Sequence, residues 1–248
     1  MSTGLAIIGG SGLNQLQDLN VDEQRMVETP YGKPSGPLQL GELNGTPVTF
    51  LPRHGTDHDI APHRINYRAN LWALKEAGVG RIIGVAAVGG ITAKYVPQSV
   101  VVPTQIIDYT WSRDHTFYDT ATGGVKHVDL TEPFSPELRF ELHGAADELD
   151  VLLIPQATYG VTQGPRFETA AEIDRMERDG CNVVGMTAMP ETALARELGI
   201  DYALCALVVN WAAGRGAAVT MMHEIEHNLV TGMENVRRLL AEAVQRII

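Results

Sequence analysis

Apolar, largely β-branched runs recur along the chain at 5–8, 48–51, 81–88, 100–107, 151–154, 182–186 and 201–209. Each has the length of a buried strand, and helical patterns lie between several of them. The clearest helix is 66–77, NYRANLWALKEA, with Asn66 as N-cap and Gly78 as its stop. A second is expected over 190–198, opening on Pro190 and closing at Gly199. A third, long and amphipathic, spans 220–248 with Leu229, Val236, Leu239, Leu240 and Val244 on one side. Strands alternating with helices predict an α/β fold: a parallel or mixed sheet flanked by helices. A (β/α)8 barrel has the right length, but the runs are unevenly spaced and 100–127 is long and irregular. No linker, repeat or low-complexity tract interrupts the pattern, so a single domain over 1–248 is expected.

Charge narrows the partners. Thirty acidic residues against nineteen basic give a net charge of −11, which repels a nucleic-acid backbone. A small anionic ligand must therefore be captured locally, against the overall field. Cys181 and Cys205 lie in apolar segments without CxxC spacing and are expected as reduced core residues. No signal-peptide pattern opens the chain, and no apolar run reaches the ~20 residues of a membrane span. A soluble, cytoplasmic protein without a membrane partner is expected.

Five segments carry candidate chemistry. The glycine-rich turn after the first strand, IIGGSGL from Ile7 to Leu13, is half of a dinucleotide fingerprint, but Gln15 stands where its third glycine belongs. No Walker lysine is present either. The turn reads as a backbone nest for a single phosphate, with Ser11 as its hydroxyl, or as a plain corner. The loop 51–64, LPRHGTDHDIAPHR, gathers Arg53, His54, His58, His63 and Arg64. Its arginines and histidines suit phosphate. A solvated loop is one alternative, and a metal site using His54, Asp57, His58 and His63 is another. At 162–172, TQGPRFETAAE, Phe167 and Glu168 open an expected helix. They suit a heterocycle, the ring stacking and the carboxylate accepting from a ring N–H, or else a core ring and a carboxylate on the helix dipole. VGMTAMPE (184–191) places Thr187 at a strand-to-helix junction, and ALVVNWAA (206–213) ends a strand near Asn210. Polar residues at several strand ends are what an open α/β sheet offers at its ligand crevice.

Taken together, IGGSGL, RHG followed by INYRANLWALKEAG, FYD, the span from His127 to EPF, GPRFETAAE and VVGMTAMPE resemble the purine nucleoside phosphorylase superfamily, in its methylthioadenosine phosphorylase branch. The resemblance runs from residue 7 to about 213. It implies a twisted mixed, partly barrel-like sheet flanked by helices and a homotrimer. The implied reaction is phosphorolysis of a purine nucleoside to free base and ribose 1-phosphate. No cofactor or metal is implied, because inorganic phosphate is a co-substrate. Carried over by position, Ser11, Arg53, His54 and Thr187 resemble the phosphate-binding set, joined by the backbone of Ala86 and Ala87. Met186 resembles the residue under the ribose, and Phe167 the wall beside the base. His127 resembles a residue lent to the neighbouring subunit.

Two departures alter the implied substrate. The adenine-specific branch reads the 6-amino group with Asp-x-Asp where this chain has Asn210 and Ala212, and has a small residue in place of Glu168. A 6-oxopurine presents O6 as an acceptor and N1–H as a donor. Glu168 can accept from N1–H and the Asn210 amide can donate to O6 or N7. Asn210, His54 and Glu168 are therefore the expected catalytic set, and a 6-oxopurine nucleoside the expected substrate. At the 5′ position the signals conflict: Met221 and Met222 suit a methylthio group, whereas His223 suits a hydroxyl. S-methyl-5′-thioinosine is the expectation, with inosine or guanosine beside it. A thioadenosine phosphorylase, a phosphatase of the RHG type, a nucleoside-binding sensor without turnover and a dinucleotide oxidoreductase are the alternatives.

Overall fold

The computed structural model describes residues 4–13, 15–119, 124–216 and 222–247. Among them run eleven strands and five α-helices. β1 (Gly4–Gly9), β2 (Leu19–Arg25), β3 (Leu38–Leu43) and β4 (Thr46–Pro52) precede α1 (Tyr67–Glu76) and the long β5 (Val79–Gly90). Then come β6 (Val100–Val101), β7 (Gln105–Asp108), α2 (Pro136–Glu148), β8 (Leu153–Ile154) and β9 (Thr158–Val161). α3 (Ala170–Arg178), β10 (Val183–Gly185), α4 (Ala188–Glu197), β11 (Asp201–Trp211) and α5 (Met222–Ile247) complete the chain.

The strands form one mixed sheet, ordered β2-β3-β4-β1-β5-β10-β9-β7, with β11, β6 and β8 branching from β5. β5 is the hinge of this branching. Its first half lies between β1 and β11, both parallel to it, and its last two residues pair antiparallel with β10. The sheet is thereby bent round towards the partly barrel-like form expected.

Side chains alternate across the sheet with the period of two that strands impose. On β11, Tyr202, Leu204, Ala206 and Val208 join the core under α1 and α4, while Ala203, Cys205, Leu207 and Val209 join the core under α2 and α5. Both cysteines are buried and free. α1 starts where the sequence predicts, the Asn66 side chain accepting from the Ala69 N–H, and Gly78 follows it at φ +82°. α5 buries Met233, Val236, Leu239, Leu240, Ala243 and Val244 on one stripe.

Several boundaries differ from expectation, each for a physical reason. The run 100–107 is two strands, interrupted at Pro103, and the halves pair with different neighbours. β2 escapes the apolar-run criterion because it is an edge strand exposed along most of its length, and β3 because glutamine, glycine and glutamate interrupt its leucines. α4 begins at Ala188, ahead of Pro190, across an extended residue at Met189 (φ −117°, ψ 137°). α3 begins at Ala170, with Thr169 and Glu172 forming a capping box, so Phe167 and Glu168 precede the helix. The beginning of the predicted 220–248 helix lies outside the described residues.

Candidate active site

A cavity of about 630 Å³ opens where β1, β4, β5, β10 and β11 deliver their polar residues. Its lining brings together Ser11, Arg53, His54, Ala86, Ala87, Phe167, Glu168, Met186, Thr187, Asn210 and Ala212, residues spread over some 200 positions of sequence. Within one chain His223 and His127 are exposed and outside this lining. Met221 lies outside the described residues. α5 turns Met222, Ile225, Glu226 and Leu229 to the cavity. That is the i, i+3, i+4, i+7 phase of a helix, and His223 falls off it.

The floor is built first from close backbone approach. A Cβ on Gly10 would stand 2.5 Å from the Val85 carbonyl oxygen and 3.0 Å from Arg53 Nη1, so only glycine lets this turn sit against β5. The Arg53 side chain is fully buried. Its Nε and Nη2 donate to the two oxygens of Glu191, each at 2.7 Å, and Nη1 donates to the Val85 carbonyl at 2.6 Å. The Tyr202 hydroxyl donates to Glu191 Oε1 at 2.7 Å. A Cβ on Gly84 would collide with that hydroxyl. Burial opposes the charge on Arg53, but the adjacent Glu191 carboxylate outweighs it and holds the guanidinium firmly protonated. Five N–H groups less three bonds leave the guanidinium further donors for a ligand.

His54 is buried, and its Nδ1 lies 2.8 Å from the Ile60 carbonyl oxygen. A carbonyl only accepts, so Nδ1 carries the proton. Burial pushes the His54 pKa down to about 4, with Arg53 and His58 acting in the same direction against the Ile60 bond. The neutral ring turns an unprotonated Nε2 to whatever it meets. His58 stacks at a tilt on His54, ring centroids 4.7 Å apart, and its Nε2 lies 3.4 Å from Ser11 Oγ. Thr187 is the N-cap residue of α4, yet its buried side chain makes no capping bond. Its side chain faces the cavity beside the buried Tyr159. Among the described residues no group of three His, Cys, Asp or Glu could hold a metal ion.

The opposite end is more open. Phe167 is 49% exposed. Thr162 Oγ1 donates to Glu168 Oε1 at 2.6 Å, which orients the carboxylate and leaves its other oxygen free. The dipole role is taken by Glu172 in the capping box instead. Asn210 Nδ2 donates to the Trp211 carbonyl at 2.7 Å, leaving one N–H and its oxygen for a ligand.

Sequence reasoning missed two residues that hold these pieces in place. One is Glu191. The other is Arg113, which is buried and donates to the Gln163 side-chain oxygen, the Tyr67 hydroxyl and four backbone carbonyls. Its Nη1 donates to the carbonyls of Met186 (2.9 Å) and Met189 (2.5 Å), and its Nη2 to those of Thr162 (3.2 Å) and Gln163 (2.8 Å). It thus ties the loop after β9, which leads to Glu168, to the β10–α4 junction that carries Thr187.

This arrangement has close counterparts. A profile of the phosphorylase superfamily matches residues 5–245. A probable S-methyl-5′-thioinosine phosphorylase of Xylella fastidiosa is 49% identical over 245 residues, covering 97% of this chain and 98% of that protein. A 6-oxopurine nucleoside phosphorylase of Pyrococcus furiosus is 44% identical over 248 residues, covering 98% and 92%. The solved methylthioadenosine phosphorylase of Schistosoma mansoni in complex with adenine superposes with a TM-score of 0.95 at 32% identity, over 99% of this chain and 92% of that one. With the profile spanning almost the whole chain and the backbone superposing along 99% of its length, the chain belongs to the phosphorylase superfamily.

Proposed function

We propose that the chain catalyses phosphate-dependent cleavage of a purine 5′-methylthionucleoside, with preference for a 6-oxopurine base. S-methyl-5′-thioinosine is the favoured substrate and hypoxanthine and 5-methylthioribose 1-phosphate are the products. The observation that carries this reading is a single cavity with an anion-type floor at one end and a paired amide and carboxylate at the other. At the floor, Ser11, Arg53, His54 and Thr187, with the Ala86–Ala87 backbone, hold phosphate below C1′. Position 86 has no hydroxyl to add. Met186 underlies the ribose. The apolar face of α5, Met222, Ile225 and Leu229, suits a methylthio group better than a hydroxyl.

The C1′–N9 bond breaks as a phosphate oxygen forms the new bond to C1′, and the bonding pair passes into the purine, which takes one proton from solvent to leave as hypoxanthine. Nothing on the enzyme need act as a covalent nucleophile. Holding phosphate in line supplies proximity. The free Asn210 N–H bonds N7 or O6 more strongly as charge arrives there, and the free Glu168 oxygen keeps N1–H in place. His54 accepts from a protonated phosphate oxygen through Nε2. No cofactor enters this scheme. A homotrimer is part of the proposal: Phe167 in the cavity wall and Trp111 in an adjoining pocket behind Glu168, 49% and 67% exposed, are apolar surface, and His127 reaches a neighbour's cavity instead of its own. The proposed setting is the cytoplasm, and among the described residues no helix is long and apolar enough to cross a membrane.

Base reading is tested by Asn210→Asp combined with Ala212→Asp. An Asp carboxylate repels O6 and accepts from a 6-amino group, so kcat/KM for S-methyl-5′-thioadenosine relative to the thioinosine should rise about ten- to hundredfold. Unchanged selectivity would refute the assignment of this end of the cavity to the base.

A further inference from the structure

The charge around the anion-type floor is smaller than its residues suggest. Arg53 is matched by Glu191 at 2.7 Å, and His54 is held neutral with its proton on Nδ1. The remaining charged residues lining the cavity, Asp59, Glu168 and Glu226, are all acidic. A phosphate dianion entering here finds hydrogen-bond donors but little net positive charge, in a chain whose overall charge is −11. One further group in the lining can supply a cation, and it is His58.

His58 is also held at the floor by geometry. Its backbone adopts φ +57°, a left-handed conformation uncommon outside glycine, in which asparagine, aspartate and histidine are the enriched side chains. The turn that imposes it is closed by the His58 N–H donating to the Gly55 carbonyl at 3.2 Å. The result is an imidazole laid against His54 and within 3.4 Å of Ser11 Oγ, two members of the proposed phosphate set on different loops. A left-handed residue that is not glycine, kept in a loop, commonly marks a functional constraint. The groups beside the ring are Ser11 from the β1 turn and His54 and Asp59 from its own loop, while Arg53, Glu168 and Glu226 line the same cavity.

We propose that His58 is a further phosphate ligand, taking a proton from solvent as the anion binds and donating it as a charged hydrogen bond. The proposal rests on the phosphate reading of the floor. Before the anion arrives, burial lowers the His58 pKa, with Asp59 opposing, so the ring is largely neutral at neutral pH. An anion beside it raises that pKa. A base whose pKa rises on binding contributes fully at low pH and loses its contribution as pH climbs through the bound-state value.

The test is His58→Asn, because asparagine tolerates the left-handed backbone and removes only the titrating ring. His58→Gln serves as the second variant. The phosphate KM of each variant is divided by that of the wild type at each pH, which cancels phosphate's own ionisation. The ratio should be about tenfold near pH 6 and approach one near pH 9, with the nucleoside KM within about twofold of wild type throughout. A ratio of one at every pH, or one that does not change with pH, would overturn the assignment. Base release that needs no phosphate in any of the three proteins would overturn the phosphate reading itself, and His58 with it.

Discussion

The two ends of the cavity are built on opposite terms. At the proposed phosphate end, Arg53, Glu191 and Tyr202 are buried together and bonded to one another, and the glycines at 10 and 84 leave room for this cluster to close. At the base end, Phe167 is half exposed, Met222 is 58% exposed, and Glu168 and Asn210 each have one intramolecular bond and capacity for more. The floor is part of the core as well as of the site, whereas Phe167 and Met222 at the other end, the rim, are not, although Ala212 beside them is buried in the core with Ile91 and Val184. Change at Phe167 or Met222 can therefore leave folding intact, while the floor cannot change without disturbing the fold, and a charge placed at Ala212 costs stability too. Arg113 links the two, its fork of donors spanning the loop behind Glu168 and the junction at Thr187.

This contrast orders the expected effects of mutation. The largest falls on the floor. Glu191→Ala strands the buried Arg53 charge and should cost about 3–5 kcal/mol of unfolding free energy. Chemical denaturation measures it, and a loss below about 1 kcal/mol would mean that the pair contributes little to the fold. Arg53→Ala leaves Glu191 unpaired in the same way, so its phosphate KM is interpretable only alongside its stability. The smaller effect falls on the rim. Phe167→Ala should leave stability within about 1 kcal/mol of wild type, since the ring is half exposed already, and raise the nucleoside KM roughly tenfold through lost stacking. If this variant unfolds as readily as Glu191→Ala, the distinction between floor and rim fails.

Much of the fold is legible in the sequence where strands are buried on both faces. β1, β5 and β11 show as apolar runs because both their faces meet core, and Asn66 and Gly78 bracket α1 by local capping chemistry alone. β2 shows nothing of the kind, because an edge strand with its side chains in water needs no apolar residues. The site divides in the same manner. Ser11, Arg53, His54, Thr187 and Asn210 fall at the ends of readable strands, where a ligand crevice is expected. Glu191 reads as an acidic residue in the first turn of a helix, and only the tertiary fold buries it against an arginine 138 positions away. Arg113 sits in the polar run WSRDH, which reads as a solvated loop until its carbonyl partners are assembled from four distant positions. His223 shows the converse. Its neighbourhood in sequence is right, but helix phase turns Met222, Ile225 and Leu229 to the cavity in its place.

The central claim is that the floor holds phosphate as a reactant while the rim reads a 6-oxopurine. Base release from inosine, guanosine, adenosine, S-methyl-5′-thioadenosine and S-methyl-5′-thioinosine, each with and without phosphate, tests both halves at once. Release is expected only when phosphate is present, with S-methyl-5′-thioinosine giving the highest kcat/KM and the two 6-aminopurine nucleosides the lowest. Release in the absence of phosphate, or a preference for the 6-aminopurine nucleosides, would contradict the claim.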